Sequence, residues 1–224
     1  MENELNLVIP KRNLPKDGIE MFEKVKMFEQ LMTMYNCAIR EVKTKFEVLN
    51  DDLSVRYSRN PIEMIKTRIK SPESISEKLR RRGFDVSIDS ITNNLNDVAG
   101  VRIICAFLDD IYAVADMLLR QDDITLVEIK DYIKNPKPNG YRSYHMIIEV
   151  PVFFADRKQQ IRVEVQFRTI AMDFWASLEH GMKYKKNVEN AEEIFAELKA
   201  CADTISETDR RMMDIRKKID GEED

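Results

Sequence analysis

Two acids, a basic segment and a tyrosine-histidine turn carry the chemistry that can be read from this chain. Asp97 stands just before the buried-looking run Val101 to Phe107, in NDVAGVRIICAF. Hard oxygen donors suit magnesium, so a carboxylate there is a candidate ligand, although a lone aspartate also serves as a cap or turn. Glu164 lies in the run Ile161 to Arg168, where Val163, Val165 and Phe167 alternate with Glu164, Gln166 and Arg168. A period of two sends those sets to opposite faces, one core and one charged. Between residues 66 and 82, seven Lys or Arg stand against two Glu. Within that segment, Ser71-Pro72-Glu73-Ser74 reads as a helix start, with a cap, a proline at the first position and an acid in the first turn. Ser74 and Lys78, four apart, share a helical face near that start. Free amides, helix dipole and cations together favour a polyphosphate; charge runs also occur as plain solvated surface. In KPNGYRSYH, Asn139-Gly140 marks a turn. If the following strand is extended from its start, Tyr141, Ser143 and His145 line one face beside Glu164 and Gln166. An ordinary amphipathic hairpin with one wet face would look the same.

Asp97 and Glu164 to hold Mg²⁺, a basic strand-helix unit to hold a triphosphate and Tyr141 to stack a base are the parts of a phosphoryl or pyrophosphoryl transferase. Glu164 has a second use, as general base toward an attacking hydroxyl. The chain contains no Walker loop and no GxGxxG pattern, which excludes the P-loop and dinucleotide classes. Neither His145 nor His180 is followed by Asp, which argues against a phosphohydrolase built on a His-Asp metal pair.

Positioning these groups requires strands and helices in alternation. Helical periodicity runs from Gly18 to about Asp52, through Ile19, Phe22, Val25, Leu31, Tyr35, Ile39, Val42 and Phe46. After Asn60-Pro61, Ile62 to Lys70 reads as an edge strand with Lys66, Arg68 and Lys70 on one face, then a helix runs from Ser71 to a stop at Gly83. A short helix is expected near 87–93, the strand Val101 to Phe107 follows, then a helix from Asp110 to Gln121 and a strand from Ile124 to Ile133. Strands Tyr144 to Phe154 and Ile161 to Arg168, joined by Ala155 to Gln160, form the hairpin. Thr169 to Lys186 is a helix with Phe174 and Trp175 inward and Asp173, Glu179, His180 and Lys183 as polar candidates; Ala191 to Ile219 is a second long helix. The fold class is α/β (α+β). The organisation is a flexible arm (1–17), an N-terminal helix (18–55), a core (56–186) and a C-terminal helix with an acidic tail (187–224).

The bulk properties bound the class. The chain has 224 residues, 43% hydrophobic and 34% charged, with a net charge of −4. That balance excludes a generic nucleic-acid binder, and no apolar run approaches the roughly 20 residues needed to span a bilayer. The N-terminus lacks the pattern of a signal peptide, so a cytoplasmic location is expected. Cys37, Cys105 and Cys201 read as reduced core thiols.

Four segments, RIKSPESISEK, NDVAGVRII, NGYRSYH and VEVQFRTIAMDFWASLEH, in this order and spacing, closely resemble the synthetase domain of the RelA/SpoT-homology family of alarmone synthetases, over about Pro61 to Lys186. With no hydrolase domain before it and no regulatory domains after it, the architecture looks like that of the stand-alone small members. The resemblance implies a nucleotidyltransferase-like mixed sheet flanked by helices and a Mg²⁺-dependent transfer of the β,γ-pyrophosphate of ATP to the 3′-hydroxyl of GDP or GTP, releasing AMP. It implies that Arg68 and Arg102 stack on adenine, that Lys70, Ser74, Lys78 and Arg81 hold the ATP phosphates with Arg80 as helper, and that Asp97 binds the metal. Glu164 shares the metal or accepts the 3′-hydroxyl proton; Tyr141 stacks on guanine; Lys137, His145 and Gln166 contact the acceptor. Asp173 departs from the Asn of some relatives. A homotetramer built through the terminal helices is also implied. Two other readings stay open: a binding module for guanine nucleotides or single-stranded RNA, and a nucleotidyltransferase with another acceptor. The pair Asp97 and Glu164 discriminates against the binding module, because a pure anion binder has no use for two carboxylates unless a metal bridges them, and Tyr141 with the loop Lys134 to Asn139 would decide the other acceptor.

Overall fold

The computed structural model describes residues 16–56, 59–182 and 190–221. Helix α1 (Lys16–Arg56) is followed by strand β1 (Ile62–Ile69), helices α2 (Pro72–Arg81) and α3 (Ile88–Asn94), strand β2 (Ala99–Cys105) and helix α4 (Leu108–Leu119). Strands β3 (Thr125–Asp131), β4 (Tyr144–Phe153) and β5 (Lys158–Thr169) come next, then helices α5 (Ile170–Met182) and α6 (Ala191–Asp220). The five strands form one mixed sheet in the order β1-β2-β5-β4-β3. Among the described residues, β2 and β5 run parallel and the other strand pairs are antiparallel.

The period-two reading of β5 explains how the sheet is seated. Val163, Val165 and Phe167 are fully buried, with Val101 and Ile103 of the neighbouring strand in the same core. Against them α1 lays Leu31, Tyr35, Ala38, Ile39, Val42 and Phe46, spaced three and four apart as one stripe of a helix requires. Phe46 meets Phe167 edge to face, with ring centroids 5.8 Å apart. Burial of each Leu, Ile, Val or Phe in this set stabilises the fold by about 1.5–3 kcal/mol. With α1 covering one face, the residues that alternate with the core set are left to build the other.

Several boundaries differ from the sequence reading. The second hairpin strand starts at Lys158, and the turn is closed by Phe154 N–H donating to the Arg157 carbonyl (2.8 Å). The first starts at Tyr144 as expected and ends at Phe153, so Tyr141 to Ser143 lie before it, and Ser143 is buried and donates to the Phe167 carbonyl (2.9 Å). Arg168 is on the polar face but only 5% exposed. Phe174, expected inward, is 59% exposed, while its neighbour Trp175 is buried and donates from Nε1 to the Leu198 carbonyl. All three cysteines are free, but only Cys105 is core; Cys37 is half-buried and Cys201 exposed. Helix α1 begins at Lys16, inside the expected arm; residues 1–15, Lys183 and the end of the acidic tail lie outside the described residues.

Candidate active site

Strand register decides which side chains meet. Across the sheet, Lys66 pairs with Arg102, Arg102 with Gln166, Gln166 with His145 and His145 with Lys130, so one polar residue from each strand forms a single row. The next row holds Arg68, Gly100 and Glu164, and Gly100 leaves its middle without a side chain. Together they floor a cleft with two lobes. One lobe, about 400 Å³, is lined by Arg68, Lys70, Asp97, Arg102, Glu164 and Gln166 among others. The other, about 680 Å³, adds Lys78, Lys137, Tyr141 and His145. Arg68, Asp97, Arg102, Glu164 and Gln166 border both lobes.

Asp97 enters the cleft from the turn before β2. Its Oδ2 accepts from the ammonium groups of both Lys70 and Lys78, the latter at 2.5 Å. Lys78 gets there because α2 starts where the sequence signals it: Ser71 caps the Ser74 amide, and the helix then carries Lys78 one turn on. Burial pushes the Asp97 carboxyl up, but the two lysines outweigh it and hold it below the usual aspartate value. Burial pushes Lys70 down.

Glu164 is held from both sides. Gln166 Nε2 donates to its Oε2 (2.7 Å), and His145 Nδ1 lies 3.3 Å from Oε1. Burial raises this carboxyl as well, and the contacts with His145 and Gln166 bring it net below the ordinary glutamate value, so it is ionised at neutral pH. The Tyr141 hydroxyl is 2.9 Å from His145 Nε2, and the Lys137 ammonium lies 4.7 Å from the centre of the Tyr141 ring. Tyr141 hangs from a turn in which Gly140, at φ +85°, approaches α6; its Cβ would lie 2.5 Å from that of Ala202. Arg142 fastens the same turn by donating to the Ala202 carbonyl (3.2 Å) and to Asp203 (3.0 Å).

Of the residues singled out in the sequence, Arg68, Lys70, Lys78, Asp97, Arg102, Lys137, Tyr141, His145, Glu164 and Gln166 all line the cleft. Ser74, Arg80 and Arg81 are not among its lining residues, and Arg80 and Arg81 are exposed on α2. Arg82 lines it instead. The signal was available, since Arg82 is four residues beyond Lys78 as Lys78 is beyond Ser74. Lys66, Lys130, Tyr132, Arg168, Glu179 and His180 also border the cleft. Asp173, 8% exposed, is an ion-pair hub: Lys66 donates to Oδ2 (2.8 Å), Arg102 and Arg168 to Oδ1 (3.1 and 3.0 Å). Burial raises its carboxyl and these three cations outweigh that, leaving it below the usual value.

Among the described residues, four buried side-chain polar atoms lack a hydrogen-bond partner, and three of them, Asp97 Oδ1, Arg102 Nε and Arg168 Nε, belong to residues of this cleft. Such atoms are costly unless a ligand completes them. Asp97 Oδ1 is a carboxylate oxygen without a hydrogen-bond partner, a hard donor of the kind a hard cation takes. No group of three or more His, Cys, Asp or Glu able to hold a metal occurs among the described residues. Asp97 and Glu164 are two oxygen-donor groups in this cleft, compatible with magnesium, which commonly takes one or two carboxylates and fills its remaining positions with phosphate oxygens and water.

A family model described as the region found in RelA / SpoT proteins matches residues 67–189. The GTP pyrophosphokinase YwaC of Bacillus subtilis (strain 168) is 43% identical over 189 residues, 84% of this chain and 90% of that protein. Two crystal structures of small alarmone synthetase 1 from Bacillus subtilis are similar to this chain. The one bound to its product pppGpp has a TM-score of 0.80, 34% identity and coverage of 87% of this chain and 98% of that one. The one bound to AMPCPP has a TM-score of 0.75, 32% identity and coverage of 88% and 99%.

Proposed function

Since this chain belongs to the RelA/SpoT family, we propose that it is a GTP pyrophosphokinase that synthesises (p)ppGpp, transferring the β,γ-pyrophosphate of ATP to the 3′-hydroxyl of GDP or GTP and releasing AMP. The observation that carries this reading is the pairing of Asp97 and Glu164 in one cleft whose walls are otherwise cationic. A site that merely bound anions would gain nothing from two carboxylates facing the phosphates.

The two lobes divide the substrates. Arg68 and Arg102, planar and weakly hydrated, flank adenine in the smaller lobe, and Lys70 and Lys78 exchange Asp97 for the triphosphate. Tyr141 stacks on guanine in the larger lobe, with Lys137, His145 and Gln166 toward the acceptor's ribose and phosphates. Ser74, Arg80 and Arg81, away from the cleft lining, have at most an outer role. Asp97, with Glu164, would hold Mg²⁺, which supplies charge neutralisation on the phosphates when bound. Glu164 takes the proton of the 3′-hydroxyl; its oxygen bonds the β-phosphorus of ATP, the bond from that phosphorus to the α,β-bridging oxygen breaks, and AMP leaves with the electron pair. Exposed Ile19, Phe22 and Val25 on α1 and Ile215 and Ile219 on α6 are the surfaces we assign to a homotetramer, to be checked by light scattering.

The test is to incubate the protein with ATP, Mg²⁺ and either GDP or GTP and to separate the nucleotides by anion exchange, with Glu164→Gln alongside. AMP and a more anionic guanine nucleotide should appear together, and the variant should lose about 10² to 10⁴-fold in turnover while still binding ATP. Unchanged nucleotides in the presence of bound ATP would leave a nucleotide-binding module.

A further inference from the structure

The hydrogen bonds around Glu164 close into a ring, and we propose that Arg168 sets the direction of that ring: it is a positioning residue that fixes the His145 ring with Nε2 accepting from Tyr141 and Nδ1 donating to Glu164. The inference rests on the reading of Glu164 as the group that receives the 3′-hydroxyl proton.

Arg168 is 5% exposed, and a guanidinium has donors only. Nη1 donates to Asp173 (3.0 Å), while Nη2 donates to the Tyr141 hydroxyl (2.9 Å) and to Gln166 Oε1 (3.3 Å). Having accepted from Arg168, the Tyr141 oxygen directs its own proton to its other neighbour, His145 Nε2, at 2.9 Å. Nε2 is then an acceptor, so the imidazole proton sits on Nδ1, 3.3 Å from Glu164 Oε1. On the other limb, Arg168 occupies the Gln166 oxygen, which turns the amide NH₂ of Gln166 to Glu164 Oε2 (2.7 Å). Both limbs start at one permanent cation and end as donors on the two oxygens of one carboxylate. Asp173 anchors the arrangement from behind. The Tyr141 side chain therefore has two separable parts, a ring available to a base and a hydroxyl that belongs to the ring of hydrogen bonds.

The chain has two histidines, so ¹⁵N-imidazole NMR of the ligand-free protein at neutral pH, with His180→Gln for assignment, reads His145 directly. The expected state is the Nδ1–H tautomer. Tyr141→Phe keeps the aromatic ring and removes the hydroxyl; it should erase the tautomer preference and lower kcat by about tenfold or more, while the acceptor KM stays within about twofold. Arg168→Met should do the same and Arg168→Lys, which keeps a cationic donor, should recover part of the loss; melting curves report whether these variants fold, and Tyr141→Phe decides the matter if they do not. A proton found on His145 Nε2 in the unmodified protein, or a Tyr141→Phe variant with unchanged kcat, overturns the proposal. If the tautomer is as expected but no guanine product forms in the unmodified protein, the ring stands and the transferase reading falls.

Discussion

Asp97→Asn separates two roles that a carboxylate among lysines can play. In the ligand-free protein Asp97 accepts from Lys70 and Lys78, whose side chains are only 14% and 18% exposed. A polyphosphate can reach those ammonium groups only by displacing them from Asp97. Hydrogen bonds to charged groups contribute about 1.5–3 kcal/mol each, and asparagine, still able to accept one neutral bond, forfeits part of two such bonds. The displacement should therefore cost the variant about 1–2 kcal/mol less, and ATP measured calorimetrically in EDTA should bind about 5- to 30-fold more tightly. With Mg²⁺ restored, the order should reverse, because Asp97 Oδ1, buried and without a hydrogen-bond partner, is the atom we assign to the cation. Turnover should fall even where ATP is saturating. The variant should also be less stable, since removing one partner leaves Lys70 and Lys78 as neighbouring half-buried cations. Metal-free ATP binding that is unchanged or weaker in Asp97→Asn would refute the idea that Asp97 competes with phosphate for the lysines, and unaltered magnesium dependence would refute its role as ligand.

Tyr141→Ala should raise the KM for the guanine nucleotide by about 1–3 kcal/mol, the cost of losing a base stack, and leave ATP binding near its original value; titration of each substrate separately checks both halves. Gly140→Ala should destabilise the protein and weaken guanine nucleotide binding, because the residue sits at φ +85° and its methyl would come within 2.5 Å of Ala202; thermal melts and acceptor KM should move together, and an unmoved KM would detach the turn from the site. Asp209, on α6, is buried and accepts from Thr169 Oγ1 (2.6 Å), and its carboxyl is raised above the ordinary 3.8 by burial despite that bond. A raised carboxyl favours the fold fully only below its unfolded value and loses that contribution as pH rises through the folded one. Asp209→Asn should accordingly raise Tm at pH 7, with the gain shrinking as pH falls toward 4. Asp97 and Asp173, both lowered, have the opposite sign: their contributions are complete above the unfolded value and are lost at lower pH.

What the residues alone settled about this protein is what depends on local spacing. A stripe at three and four made α1, a period of two made β5 and decided that Glu164 and Gln166 face away from the core, and Ser71 before Pro72 placed the start of α2. Four short segments in order were enough to identify the family resemblance, and ten of the thirteen residues assigned to binding or catalysis do line the cleft. Register was different. Nothing local places Lys130 beside His145, or Lys66 beside Arg102, because a strand of given pattern can pair in several ways; only the assembled five-stranded sheet aligns them. The buried partners were equally invisible. Arg168 looked like one more charge on a wet face, and Asp173 like one of several polar candidates on its helix, until α5 folded back over the sheet and joined them. The Gly140 turn is legible as a turn, but its attachment to α6, 60 residues further along the chain, is a long-range contact. Side-chain type and local period come from neighbours in sequence; ion pairs and hydrogen-bond direction come from neighbours in space, and those the tertiary structure alone supplies.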